Sequence, residues 1–301
     1  MRKTSNNIIK EIDGVLTCTT PAKALPVIFD SPHSGTAYPA EFDYSCDFND
    51  LQRAEDKFVD ELFACAPHHG ASLLCAHFPR SFIDVNRASD DIDEELLNAP
   101  WPKDAPPINP TNRSYAGIGL IRRLISPGVP VYDRDLLPIE IIERIAKYYT
   151  PYHETLKGLI DTAHYNFGKS WHINCHSMPT PKSIATFGRI NPAQEPDFVL
   201  GDRNGTSCDL DFTHAIRDFL KEKGYKVAIN DPYKGVELVD RYSAPAKGRH
   251  SLQIEISRAL YMDEENCTKN NNFNGLKDDM TTLIQFCAAY AQSNLTQQAA
   301  D

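Results

Sequence analysis

Apolar residues along this chain follow two rhythms: short runs or alternations that suit strands, and stripes at helical spacing. The two trade places over most of its length. Val27, Ile28 and Phe29 form an unbroken apolar run, which predicts a strand covered on both faces. Pro32 and Gly35 stop it, so His33 falls where the strand ends. The stretch WHINCHSMP at 171–179 repeats the arrangement, with His176 and Ser177 closing a strand-like run before a proline. Residues 72–77, 81–85, 197–200, 226–230 and 252–256 read as further strands.

Helical stripes fill the intervals. Over 50–66, Leu51, Phe58, Leu62 and Cys65 share one side of a helix. On its wheel Glu55 points into the apolar stripe, Asp56 sits at the stripe's edge and Asp60 faces further out. The longest pattern covers 137–167, with Ile139, Ile142, Ile145, Ala146 and Tyr149 on one side and a break or kink expected at Pro151. A helix at 211–223 is stopped by Gly224, and another closes the chain at 280–295. Residues 89–117 hold a proline-rich passage and no sustained period. They read as a long loop excursion with one short helix, of the kind that roofs active sites. Residues 1–25 read as an N-terminal arm, of which 12–18 could pair at a sheet edge, and 26–301 as a single α/β hydrolase domain. Strands alternating with helices predict a layered α/β sandwich.

Composition narrows the function. The 301 residues are 41% hydrophobic and 24% charged, ordinary for a globular enzyme, and no apolar run approaches a membrane span or the core of a signal peptide. A cytoplasmic protein is expected. The net charge of -10 argues against nucleic acid or an anionic membrane surface as partner, so an anionic substrate needs local arginines. The eight cysteines form no CxxC and read as reduced, mostly buried thiols.

Four polar points lie at strand ends or on the helix after one: His33, the Glu55/Asp56 pair, His176, and Glu255 inside the apolar strand LQIEI. Two histidines and one carboxylate match the ligand count of a catalytic zinc site. Glu255 amid Leu252, Ile254 and Ile256 is costly to bury without a partner, although strand alternation also allows it to face solvent or an arginine. Ser34 and Ser177 each follow a histidine but lie in no GxSxG elbow, which suits support of a metal ligand better than a serine triad.

SPHSG at 31–35, EDKFVDELF at 55–63, FPRSFIDVNR at 78–87, GLIRR at 119–123, CHSMP at 175–179, VLGDRNGTSC at 199–208, PYKG and DRY within 232–242, and LQIEISRALYM at 252–262 together resemble the N-formylglutamate amidohydrolase family. The resemblance implies a three-layer α/β/α sandwich with a mixed sheet, like that of zinc carboxypeptidases. It implies one zinc per chain on His33, Asp56 and His176, where the wheel favours Glu55, and it puts Glu255 in the general-base position. Asn86 and Arg87 look like the pair that holds a substrate carboxylate. Arg80, Arg123 and Arg241 are the candidates for a second one. The implied reaction cleaves N-formyl-L-glutamate, a small anionic N-acyl amino acid, to formate and L-glutamate in histidine breakdown. Rival readings are a deacylase or carboxypeptidase-like hydrolase of another N-acyl amino acid, and a zinc- or ligand-binding protein without turnover; assembly into a homo-oligomer stays open. One departure concerns the substrate loop, where Lys234-Gly235-Val236 replaces an expected double glycine.

Overall fold

Nine strands join one mixed sheet in the computed structural model, which describes residues 2–4, 7–180 and 195–298. They are β1 (Arg2–Thr4), β2 (Asn7–Ile12), β3 (Leu16–Pro21), β4 (Val27–Ser31), β5 (Ser72–Ala76), β6 (Ser170–Met178), β7 (Phe198–Gly201), β8 (Val227–Ile229) and β9 (Arg249–Ser257). Their order is β1-β2-β3-β5-β4-β6-β9-β7-β8. The centre, β5-β4-β6-β9, is parallel, and antiparallel pairing flanks it on both sides.

Strand alternation divides the side chains between two cores. Val27 and Phe29 of β4, Trp171, Ile173 and Cys175 of β6, and Leu252, Ile254 and Ile256 of β9 pack toward α2 (Val59–Leu62), α5 (Leu210–Glu222) and α6 (Phe273–Gln298). Ile28 and Leu74 pack on the opposite face, against Ile141 of α3 (Pro138–Arg144) and Tyr152, Leu156 and Ile160 of α4 (Thr150–Phe167). The result is the expected three-layer α/β/α sandwich. Each buried aliphatic or aromatic side chain contributes roughly 1.5–3 kcal/mol. The apolar rows of β6 and β9 thereby hold in place the polar residues that alternate with them.

Several elements differ from the sequence reading. Residues 7–21, expected in an arm, supply β2 and β3 of the main sheet, where β3 pairs with β5 and buries Leu16 and Cys18. Residues 81–85 form no strand. Phe82, Ile83 and Val85 are buried all the same, and turns at Pro79 and Asp84 carry the chain past the end of β5. The stretch 137–167 does not break at Pro151. A π-helical turn, Ile145–Tyr149, takes up the spacing and the helix runs on through the proline, which lacks an N–H to lose. The helix expected over 50–66 is interrupted: α1 spans Phe48–Ala54, Glu55 is extended, and Phe58 is left-handed with φ 66°. The excursion 89–117 carries two short helical turns, Glu94–Leu96 and Asn112–Tyr115. All eight cysteines are free, and none of the described helices is long and apolar enough to cross a membrane.

Candidate active site

The interruption after α1 delivers Asp56. Leaving the helix at Glu55 lets the Asp56 N–H donate to the carbonyl of His33, 3.0 Å away, which ties the segment to the loop after β4. The carbonyls freed by the break are not stranded. Arg258, one residue past β9, donates to Arg53 O and Glu55 O, both at 2.7 Å, and reaches Asp56 Oδ1 at 3.2 Å. Ser177 donates to the same Oδ1 and accepts from Arg258 Nε, while Ser34 donates to the Asp56 carbonyl. Neither serine hydroxyl engages a histidine among the described contacts. Both brace the aspartate.

The other carboxylate oxygen faces inward. Asp56 Oδ2 lies 2.9 Å from His176 Nδ1 and 3.3 Å from His33 Nδ1, and the two Nδ1 atoms are 3.1 Å apart. All three side chains are buried. His33 Nε2 lies 2.7 Å from Asp84 Oδ1, and His176 Nε2 lies 2.7 Å from Asn174 Oδ1, whose own amide is oriented by donation to Asp30. These acceptors favour the proton on each Nε2, and at His176 the Asn174 contact at 2.7 Å is shorter than the competing Asn86 Nδ2 contact at 3.1 Å. Both Nδ1 lone pairs and a carboxylate oxygen therefore converge, three acceptors without a proton between them. That donor set repels itself unless a cation joins it, and its geometry is one that could hold a metal ion. Burial alone would raise the Asp56 carboxyl, but its surroundings, the charge of Arg80 among them, hold it well below the usual range.

Behind the triad a polar column runs along one face of the central strands. Asp30 accepts from Tyr152, His172 and Asn174, and His172 in turn meets Ser251. Glu255 belongs to this face of β9, in register with His176 on β6. Its exposure is 8%, and Gln253 donates to its Oε1 at 2.8 Å. The alternative that Glu255 faces open solvent is thus excluded. Burial pushes its carboxyl up to about 7, with the charge of Asp56 adding to the rise and Arg80 and Arg258 opposing it.

Glu55 points elsewhere: Tyr38 and Lys57 bind its carboxylate, away from the histidines. Asn86 lies beside the triad, its Nδ2 at 3.1 Å from His176 Nε2 and its Oδ1 accepting from Leu238 N. Arg87 is buried, held by the carbonyls of Ile118 and Asn86, and forms no ion pair among the described residues. The other arginines separate. Arg80 pairs with Asp84 at 2.9 Å and comes within 3.8 Å of Asp56. Arg123 is taken by Asp93 and Glu95, and Arg241 by Glu237, Tyr149 and His153, so neither offers a free guanidinium. In the segment that the resemblance makes a substrate loop, Gly235 needs its glycine, with φ 89°, whereas Val236 has φ -126° and needs none. Sequence reasoning passed over Asp84, Asn174 and Arg258. Asp84 carried the signal that singled out Glu255, an acid inside an apolar run.

A model of the N-formylglutamate amidohydrolase family matches residues 25–262. The chain is 28% identical over 249 residues to the N-formylglutamate deformylase of Pseudomonas aeruginosa, covering 80% of this chain and 84% of that protein. The N-formylglutamate deformylase of Pseudomonas putida is 28% identical over 246 residues, covering 80% and 83%. The crystal structure of N-formylglutamate amidohydrolase from Ralstonia eutropha superposes with a TM-score of 0.88 at 42% identity, over 93% of this chain and 99% of that one.

Proposed function

The chain belongs to the N-formylglutamate amidohydrolase family, and from that premise we propose that it is a zinc-dependent enzyme that hydrolyses N-formyl-L-glutamate to formate and L-glutamate. The observation that carries this reading is the convergence of His33 Nδ1, His176 Nδ1 and Asp56 Oδ2 beside a buried glutamate. These three residues would hold the zinc. Bound there, zinc supplies Lewis acidity, which polarises an acyl oxygen and brings the pKa of a water toward ~7.

The chain's own groups do the rest. Glu255 takes a proton from the attacking water as its oxygen bonds to the formyl carbon, then gives that proton to the nitrogen as the C–N bond breaks. A carboxyl raised toward neutrality by burial is suited to both directions of transfer. Asp84 and Asn174 fix the ring orientation of the two histidines, and Arg80 and Arg258 hold the acids that serve them. Arg87 binds the α-carboxylate of the substrate in a two-pronged contact, with Asn86 beside it.

The test is metal analysis of the purified protein combined with a formate-release assay across N-formyl amino acids, with and without a chelator. About one zinc per chain, together with a preference for the glutamate derivative that chelation abolishes, is expected. Turnover that survives complete metal removal, or none with any N-formyl amino acid, overturns the reading.

A further inference from the structure

Two arginines near the triad stand without a counter-charge among the described residues, Arg87 buried and Arg122 partly so, and a substrate with two carboxylates needs two cations. Arg87 is the first. The second lies in GLIRR, at the position beside the one the sequence favoured. Arg122 Nε is buried without any hydrogen-bond partner, and the side chain forms no ion pair among the described residues. Arg123, its neighbour, turns instead to Asp93 and Glu95. The backbone brings Arg122 to the site: Leu120 O accepts from Asp84 N, Ile118 bridges Arg122 in antiparallel fashion, and the same Ile118 carbonyl accepts from Arg87 Nε.

Holding a largely desolvated guanidinium without a partner is unfavourable. Burial pushes the Arg122 guanidinium down to about 9, with the nearby positive charge of Arg80 adding to the fall and Asp84 opposing it. The fold therefore carries an uncompensated positive charge beside the metal triad, where an anion from outside relieves it. Resting on the reading that the substrate is an N-formyl dicarboxylic amino acid, we propose that Arg122 binds its side-chain carboxylate and so selects glutamate over neutral side chains. Arg87 and Arg122 then form a two-point clamp, one guanidinium for each carboxylate, with the formyl group left to the triad and Glu255.

The test uses the zinc-loaded enzyme and compares Arg122→Gln with the wild type on N-formyl-L-glutamate and on N-formyl-L-glutamine, whose side chain has the same shape and no charge. The variant should lose on the order of tenfold or more in kcat/KM on the glutamate derivative, the scale of a charged hydrogen bond, and little on the glutamine derivative. Arg122→Lys should restore part of the loss, and it is the second variant should Arg122→Gln not fold. An independent readout is thermal stabilisation by glutarate, a dicarboxylate without a formyl group. It should raise the melting temperature of the wild type more than butyrate does, and in Arg122→Gln its shift should shrink to that given by butyrate, which is itself retained. Equal losses on both substrates, or an unchanged glutarate shift, overturn the assignment. Absence of formate release from either substrate by the wild type would instead overturn the proposed activity, and the glutarate arm would still judge Arg122.

Discussion

Glu255 stands directly across the parallel β6–β9 ladder from His176. In-register residues on neighbouring parallel strands point to the same side of a sheet, so the proposed general base and the proposed metal ligand share one face with no loop between them. Their spacing is set by backbone hydrogen bonds, and the apolar rows on the other face keep those strands in register.

This arrangement predicts the behaviour of Glu255→Gln. The variant should keep its metal and lose on the order of a hundredfold to ten-thousandfold in kcat. A base works only as the carboxylate, and here the carboxyl is raised, so activity should fall as pH drops through its value. Because a cation on the triad opposes the effect of burial, the acid limb of kcat/KM should lie between 4.5 and about 7. A wild-type profile flat down to pH 4.5, or full activity in Glu255→Gln, would remove the residue from this role.

The ligand set can be judged separately from turnover. His33→Ala, His176→Ala and Asp56→Ala should each lose bound metal and activity together, since two protein ligands make too weak a site. Glu55→Gln should keep its metal, because Tyr38 and Lys57, and not the histidines, hold that carboxylate. Asp84→Asn should bind metal about 10–100-fold more weakly, as expected when the group orienting a ligand histidine is changed. Metal content after dialysis against graded chelator measures all five.

Arg87→Lys keeps the charge and loses the fork. The expected cost is about 1.5–3 kcal/mol, roughly tenfold or more in kcat/KM. It should fall on N-formyl-L-glutamate and N-formyl-L-glutamine alike, because both carry the α-carboxylate. A near-normal rate on both would move that anchor away from Arg87.

Ser34→Ala and Ser177→Ala should retain measurable formate release. Ser34 ties down the backbone of the Asp56 segment and Ser177 steadies its carboxylate, and neither is placed as a nucleophile. A loss as deep as that of Glu255→Gln in either variant would favour covalent chemistry instead.

How far the site could be read in advance depends on the distance over which each choice is made. The alternation in WHINCHSM and LQIEI is a local, period-two signal. It places His172, Asn174 and His176 on one side of a strand and Glu255 on the polar side of another. The layered α/β class, both histidine-bearing strand ends and the motifs shared with the amidohydrolase family were legible in this way. The helical wheel failed at Glu55 because it presumes an unbroken helix. The break there is stabilised by His33 and by Arg258, about 20 and 200 residues away in the chain.

The sequence alone therefore determined which strands run through the core, which of their faces is polar, and that two histidines and an acid could meet. The family motif already pointed to Asp56 against the helical wheel, and the tertiary structure brings that residue to the histidines; only the tertiary structure decided that Asp84 and Asn174 face the rings, and that Arg122 rather than Arg123 or Arg241 stands without a counter-charge among the described residues. The physical reason is one of range. Apolar periodicity is set by neighbours a few positions apart, whereas the partner of a buried charge is whichever residue the folded chain brings within a few ångströms, and adjacent arginines in GLIRR look alike until their partners are in place.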